Sequence, residues 1–544
     1  MMSKEENMAN TIQTKSQAAQ QLLRTDGTLA ADSRLFDWIS LLDPVSSLII
    51  GSRRDDVLSA HAEGDIVLGL AGNDHLDSAS NRTALFGGSG NDDLTTNVVV
   101  LQGDTPRHGL AIQFGGTGND DLSATVTLQG GNAPQSPERV ADVLLDGGSG
   151  DDTISATANV ALPVLADVTV RTDLFGGSGN DTIHAVADGR NTVGNSIALN
   201  TIDGGAGDDR VTAHAETAFF ALHGTASNLL FGGAGNDELN ARAEGVSNQT
   251  DFVSNELHGG QGDDVLRAFN LTDSNTRTPV GINQLWGDDG NDTLEATHST
   301  DGENVVTDVT NYLDGGNGND SLLADSTALG GYVHALNQLE GGIGRDNLTA
   351  HLDAVAHGGF GLEQALYDVA NVLNGGAGDD QLTAFLSATP DPTVTDDSIA
   401  ENRLNGGAGN DVLAATVAPG SLGSSFLAGG TGNDQLTVFG GSGNILNGGD
   451  GNDTLVSGIG NDSMFGESGA DRFVFAAQNG HDTAIFEQGQ DKIDLMGLAG
   501  NDIHDFDDLN IEVTGGETII HFDANNDLTI AGVVNLSAND FLFA

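Results

Sequence analysis

Apolar residues recur at every second position in short runs, and each run is bounded by a glycine-rich turn. In Glu238-Leu239-Asn240-Ala241-Arg242-Ala243 the apolar Leu239, Ala241 and Ala243 alternate with Glu238, Asn240 and Arg242, the period-two signal of a strand with one buried face. The pattern returns as Val211, Ala213, Ala215 and as Ile183, Ala185, Ala187, so small inward alanines predict a thin core. A second strand in each repeat leads into the turn as Asn-x-Leu-x-Gly. Its leucine or isoleucine stands at Ile202, Leu230, Leu257, Leu285, Leu313, Leu339, Leu373 and Leu404. Two residues earlier come Asn200, Asn228, Asn255, Asn283, Asn311, Asn337, Asn371 and Asn402. Stacked in register, these side chains predict an amide ladder from coil to coil. A fixed period overrides the several-domain expectation of a 544-residue chain and points to one long solenoid.

Ahead of the repeats, residues from Thr11 to Arg24 and from Ser33 to Leu42 read as short helices. The second carries Leu35, Phe36, Trp38, Ile39 and Leu42, enough to cover the open first coil. The expected division is a helical cap over 1–47, the solenoid over 48–475 and a C-terminal segment over 476–544.

The turn itself is Gly232-Gly233-Ala234-Gly235-Asn236-Asp237-Glu238-Leu239 and near copies of it. Glycines supply positive φ and let carbonyl oxygens crowd a small centre, while the aspartate adds a hard anionic oxygen. Asp56, Asp74 and Asp92 lie about 18 residues apart, with Asp65 midway, as two turns per coil require. From Asp92 to Asp411 the interval widens to roughly 28 and at most about 34, with one such turn per coil. Asp453, Asp462 and Asp471, nine apart, restore the short form.

This motif resembles the RTX family of bacterial secreted proteins, and its copies run from about Gly51 to Asp471. The resemblance implies an all-β fold: a calcium-binding parallel β-roll or β-helix, here with widened coils. It implies many Ca2+ ions held between adjacent turns by glycine carbonyls and by Asp74, Asp92, Asp120, Asp152, Asp181, Asp209, Asp237, Asp264, Asp292, Asp320, Asp346, Asp380, Asp411, Asp434, Asp453, Asp462 and Asp471. The degenerate copy around Asp56, with Arg53 and Arg54 in place of small residues, is a doubtful site. After Arg472 the text resembles the segment that follows the repeats in serralysin-type proteases. That implies an uncleaved C-terminal signal read by type I secretion machinery.

Net charge −60, from 79 acidic against 19 basic residues, makes nucleic acid and anionic membrane poor partners and calcium the natural counter-charge. Without cysteine there is neither a disulfide framework nor a thiolate site. The opening Met1-Met2-Ser3-Lys4-Glu5-Glu6 does not read as a cleaved signal peptide, and no apolar run approaches transmembrane length, so export by another route is the expectation. The zinc-protease pattern H-E-x-x-H, the G-x-S-x-G elbow and a phosphate-binding loop are missing, and the histidines read as solvated residues. The expectation is a non-enzymatic, secreted or cell-surface structural or adhesive protein that folds on extracellular calcium, with a cell-surface or polysaccharide ligand. The alternative is a secreted polysaccharide-acting enzyme whose groove lies on a solenoid face and gathers acids and bases from neighbouring coils.

Overall fold

The computed structural model describes residues 45–101, 108–130, 138–161, 164, 166–218, 221–245, 250–273, 279–301, 306–356, 366–389, 398–475, 478–501 and 503–544. Both expected N-terminal helices lie outside the described residues. The chain divides into two compact units, Met1–Arg277 and Thr278–Ala544.

In the first unit every coil contributes one strand to each of two parallel sheets. The sheet entering the turn stacks Val168–Ser178, Ser196–Ala206 and His223–Ala234 in register. The sheet leaving it stacks Thr182–Asp188, Arg210–Glu216 and Glu238–Gly245. From Val168–Ser178 onward the turn-entering sheet buries every second residue up to its glycines, whereas Thr83–Ser89 and His108–Thr117 in the first coils are buried on both faces. Leu230, Ala226, Leu239 and Ala241 meet between the sheets, the thin core that the alanines predict. On the outward face of the turn-entering sheet in the first coils, Phe86 and Phe114 occupy the row that later carries Asp146 and Phe175, and they stack with ring centroids 5.0 Å apart.

Widening lengthens the strands as well as the loops. A short coil uses Ile66–Ala71 and His75–Ser78, six and four residues, whereas a wide one uses His223–Ala234 and Glu238–Gly245, twelve and eight. More buried positions per coil follow, and so does the room for the asparagines.

The second unit repeats the plan and then shortens its coils. Its widest part packs Val309, Val333, Val369 and a fully buried Tyr367, whose hydroxyl accepts from the Ala356 N–H at 2.8 Å. Parallel stacking continues past Phe475: Arg472–Val474 pairs with Lys492–Asp494, which pairs with Phe541–Leu542. An antiparallel hairpin of Asn510–Thr514 and Glu517–His521 adds to this end. Among the described residues no helix is long and apolar enough to cross a membrane.

The asparagine ladder forms as the spacing predicts. Asn200 donates to Asn228 and Asn228 to Asn255, each at 2.7 Å. In the second unit Asn311, Asn337 and Asn371 donate in turn to Asn337, Asn371 and Asn402 at 2.9–3.0 Å. From Asn228 onward the amides also bond carbonyls of the opposite sheet, as Asn228 does to Arg242 and Asn337 to His351, both at 2.9 Å. The ladder therefore ties the two sheets together as well as neighbouring coils.

One histidine departs from the solvated reading. His298 is 1% exposed, and burial pushes its imidazole down to about 3. The ring fits because the neighbouring strand has Gly281, where a Cβ would stand 1.8 Å from it.

Candidate metal centre

The turn is built from positions where only a missing side chain fits. Gly233 takes φ +112°, and a Cβ there would lie 2.0 Å from the Gly205 carbonyl oxygen of the preceding coil. Leu70, Asp288 and Glu467 occupy this position in degenerate copies and keep positive φ at 83°, 71° and 65°. Holding a non-glycine there costs about 1–2 kcal/mol, so the stack imposes the turn on its poorer copies.

Each aspartate is then fixed from both directions. The Asp209 backbone N–H donates to Asp237 Oδ1 at 2.7 Å, and the same bond links Asp74 to Asp92, Asp120 to Asp152 and Asp181 to Asp209 in the first unit. Asp320 to Asp346, Asp346 to Asp380, Asp434 to Asp453 and Asp453 to Asp471 repeat it in the second. Oδ1 is thereby consumed, and Oδ2 is left over. In Asp74, Asp92, Asp120, Asp152, Asp181, Asp209, Asp237, Asp320, Asp346, Asp380, Asp411, Asp434, Asp453 and Asp471 that oxygen is buried and accepts no hydrogen bond. Asp264 and Asp292 are buried at the same place in their turns.

The leftover oxygen faces a cradle. A Cβ on Gly232, the first glycine of the turn, would stand 2.4 Å from Asp237 Oδ2 and 2.6 Å from the Gly259 carbonyl oxygen of the next coil. Gly204, Gly315, Gly375 and Gly429 show the same pair of oxygens. A carboxylate and a carbonyl from adjacent coils thus converge on a space that a side chain would fill.

Burial without a counter-charge raises these carboxyls. Asp120 is pushed up to about 8, and Asp181, Asp209, Asp346 and Asp453 to about 7, against an ordinary 3.8. Burial is the largest cause, the backbone N–H opposes it, and the aspartates of adjacent coils add to it. A column of buried anionic oxygens needs either protons or cations. Hard oxygens drawn from two turns suit calcium, which takes six to eight such ligands.

The cation-free fold should consequently be most stable in acid. These carboxyls bind protons more tightly folded than unfolded, so their contribution is complete below about pH 4 and is lost as pH rises through 6 to 8. Thermal melts in chelator from pH 4 to 8 should show a falling midpoint. Excess calcium should remove the fall.

Three aspartates stand apart. Asp462 lies on the opposite edge, where Oδ1 accepts from the Asn444 side chain at 2.7 Å and Oδ2 from the Gly458 N–H at 3.2 Å. Asp65, likewise midway, takes the N–H groups of His61 and Ala62 and the Ser47 hydroxyl. At Asp56, Oδ2 is occupied by the N–H and hydroxyl of Ser52. None of the three offers the leftover oxygen of the main column.

Two features escape the sequence pattern. The exposed residue before each aspartate forms a second ladder that runs the other way: the Asp208 N–H donates to Asn180 and the Asn236 N–H to Asp208, at 3.0 and 2.8 Å. The recurrence of Asn or Asp at that position was its available signal. On the outer face of the first unit, Asp188, Glu216 and Glu244 oppose one another across three coils. Arg190 pairs with Asp188 and Glu216, and Arg242 with Glu244, while His214 Nε2 sits 3.4 Å from Glu244 and 3.7 Å from Glu216. His184 and His214 were outward positions by the strand pattern, but only three-dimensional stacking shows His214 within this network.

Comparison with known families matches the chain to the profile of the RTX calcium-binding nonapeptide repeat. It matches residues 48–80, 142–158, 173–187, 200–215, 224–243, 254–270, 280–297, 308–326, 368–385, 400–415 and 439–473. The turns at Asp120 and Asp346 fall between matched segments yet keep the same hydrogen bond, at 2.7 and 2.8 Å. Among curated proteins none matches the chain.

Proposed function

Because the chain is an RTX-type protein with calcium-binding repeats and a parallel β-roll fold, we propose that it is exported and winds its coils on meeting calcium outside the cell. It then serves as a structural or adhesive element at the surface or in matrix. The carrying observation is the column of buried Oδ2 atoms, which from Asp74 to Asp237 and from Asp320 to Asp434 converge with a carbonyl of the next coil on the first glycine of the turn. At submicromolar calcium and neutral pH, carboxylate repulsion and glycine backbone entropy keep the repeats open. At about millimolar calcium the ions join successive turns, and binding becomes folding. The segment after Arg472 is the export signal in this reading, delivered to type I secretion machinery, and it also closes the last coil.

Calcium added to chelator-treated protein should produce a cooperative coil-to-β transition in far-UV circular dichroism, with around one ion bound per glycine turn. A full β signal at submicromolar calcium and pH 7.5 would overturn the proposal.

One observation favours an enzymatic reading. Burial raises Glu216, while His214 and then Arg242 hold Glu244 down at about 2, so two adjacent carboxylates are driven apart in acidity. Such separation assigns an acid and a base. Glu216→Gln should then abolish hydrolysis of polysaccharides by the calcium-loaded chain, and wild-type protein inert on both neutral and acidic polysaccharides removes this reading.

A further inference from the structure

We propose that the outer face of the turn-entering sheet in the C-terminal unit binds a neutral polysaccharide laid across successive coils. The outward position just before the turn glycines carries Trp286, Asp314, Glu340 and Asn374 in continuous register. The next outward row, two residues earlier, aligns Gln284, Tyr312 and Gln338. Trp286 and Tyr312 lie side by side with ring centroids 5.8 Å apart. The chain has only two tryptophans and three tyrosines, so two large amphipathic rings on neighbouring coils are a local concentration.

The polar groups beside the rings are already oriented. The Tyr312 hydroxyl donates to Asp314 at 3.2 Å, and Gln338 and Asn374 both donate to Glu340, at 3.1 and 2.8 Å. An amide has two N–H donors and two acceptor sites, so each of these retains capacity toward a ligand after one such bond. All are half-buried on their strands, which holds their directions while leaving them accessible.

This combination fits sugar. Aromatic faces cover the apolar C–H face of a pyranose, and fixed amides and carboxylates serve hydroxyls that both donate and accept. Coils repeat at about 4.8 Å, close to the length of one pyranose unit, so a glycan running across the strands meets similar chemistry at each step. Asp314 and Glu340 repel acidic chains, and Arg403, the cation aligned with the second row, is paired to Glu401 at 2.7 Å. The ligand is therefore a neutral polysaccharide.

The inference rests on the adhesive reading above, and one set of samples separates their failures. Calcium-loaded full-length protein is run through native gels containing hydroxyethyl cellulose, dextran or a galactan, with carboxymethyl cellulose as the charged counterpart, while circular dichroism follows its calcium transition. Retardation by at least one neutral polymer and not by the charged one is expected. Trp286→Ala should weaken it at least tenfold, and Tyr312→Phe severalfold, with the calcium transition unchanged in both. Wild-type protein that folds with calcium but is retarded by none of the neutral polymers, or a Trp286→Ala variant that folds and binds as before, overturns this inference and leaves the calcium reading standing. Neutral-glycan binding through Trp286 in a chain already folded without calcium does the reverse.

Discussion

Replacing Asp237 with asparagine should move stability in opposite directions with and without calcium. The amide keeps an oxygen for the Asp209 N–H, now bonded at 2.7 Å. It replaces the buried Oδ2 with an N–H donor facing the Gly259 carbonyl. In chelator at pH 7.5 the variant loses a carboxyl that burial raises to about 6, and it gains a bond of about 1 kcal/mol, so its melting point should rise. In millimolar calcium it loses an anionic ligand, and affinity at that step should fall at least tenfold, about 1.4 kcal/mol. Melts in both buffers, with calorimetric counting of bound ions, check the crossover. A shift of the same sign in both would mean that Asp237 is a structural hydrogen-bonding residue and not an ion ligand.

Asn337→Ala should be among the most damaging single changes in the second unit. Its side chain accepts from Asn311 at 3.0 Å and from the Ser326 hydroxyl at 2.7 Å, and it donates to Asn371 and to the His351 carbonyl at 2.9 Å. Alanine leaves two or three of these buried groups without a partner, at roughly 1–3 kcal/mol each, so a loss of about 3–5 kcal/mol is expected. The exposed Asn319→Ala removes an acceptor from the Arg345 N–H that water can replace, and should cost about 0.5 kcal/mol or less. Urea unfolding in saturating calcium compares the two, and hydrogen exchange should report the loss in the coils flanking Asn337. Equal effects would remove the buried ladder from the account of stability.

The two ladders also mark how far the sequence is readable. Asn337 and Asp237 recur at the coil period with fixed neighbours, so register alone places them above one another. What each atom touches is a different matter. Asp462 and Asp471 look alike nine residues apart, yet the first has both oxygens satisfied and the second has one left over. The difference depends on which edge of a short coil each occupies. His214 and Glu216 share one strand, whereas Glu244 lies a whole coil further along the chain, and only stacking brings it to them. His298 escaped because its burial depends on a glycine seventeen positions earlier on the opposite strand, a pairing that no local pattern carries. The break expected near Phe475 marks the last glycine turns, whereas parallel pairing depends on backbone alone and continues to Leu542.

Coil length is indifferent to the turn. Asp320 and Asp346 are 26 residues apart, Asp346 and Asp380 are 34, and both pairs close the same bond at 2.8 Å. Eight extra residues on one side of a coil leave the spacing on the other unaltered. The chain therefore behaves as a ruled backbone with interchangeable inserts: peptides of different length could be presented from the far edge at constant pitch, and gain or loss of an insert would change what is displayed without re-indexing the frame.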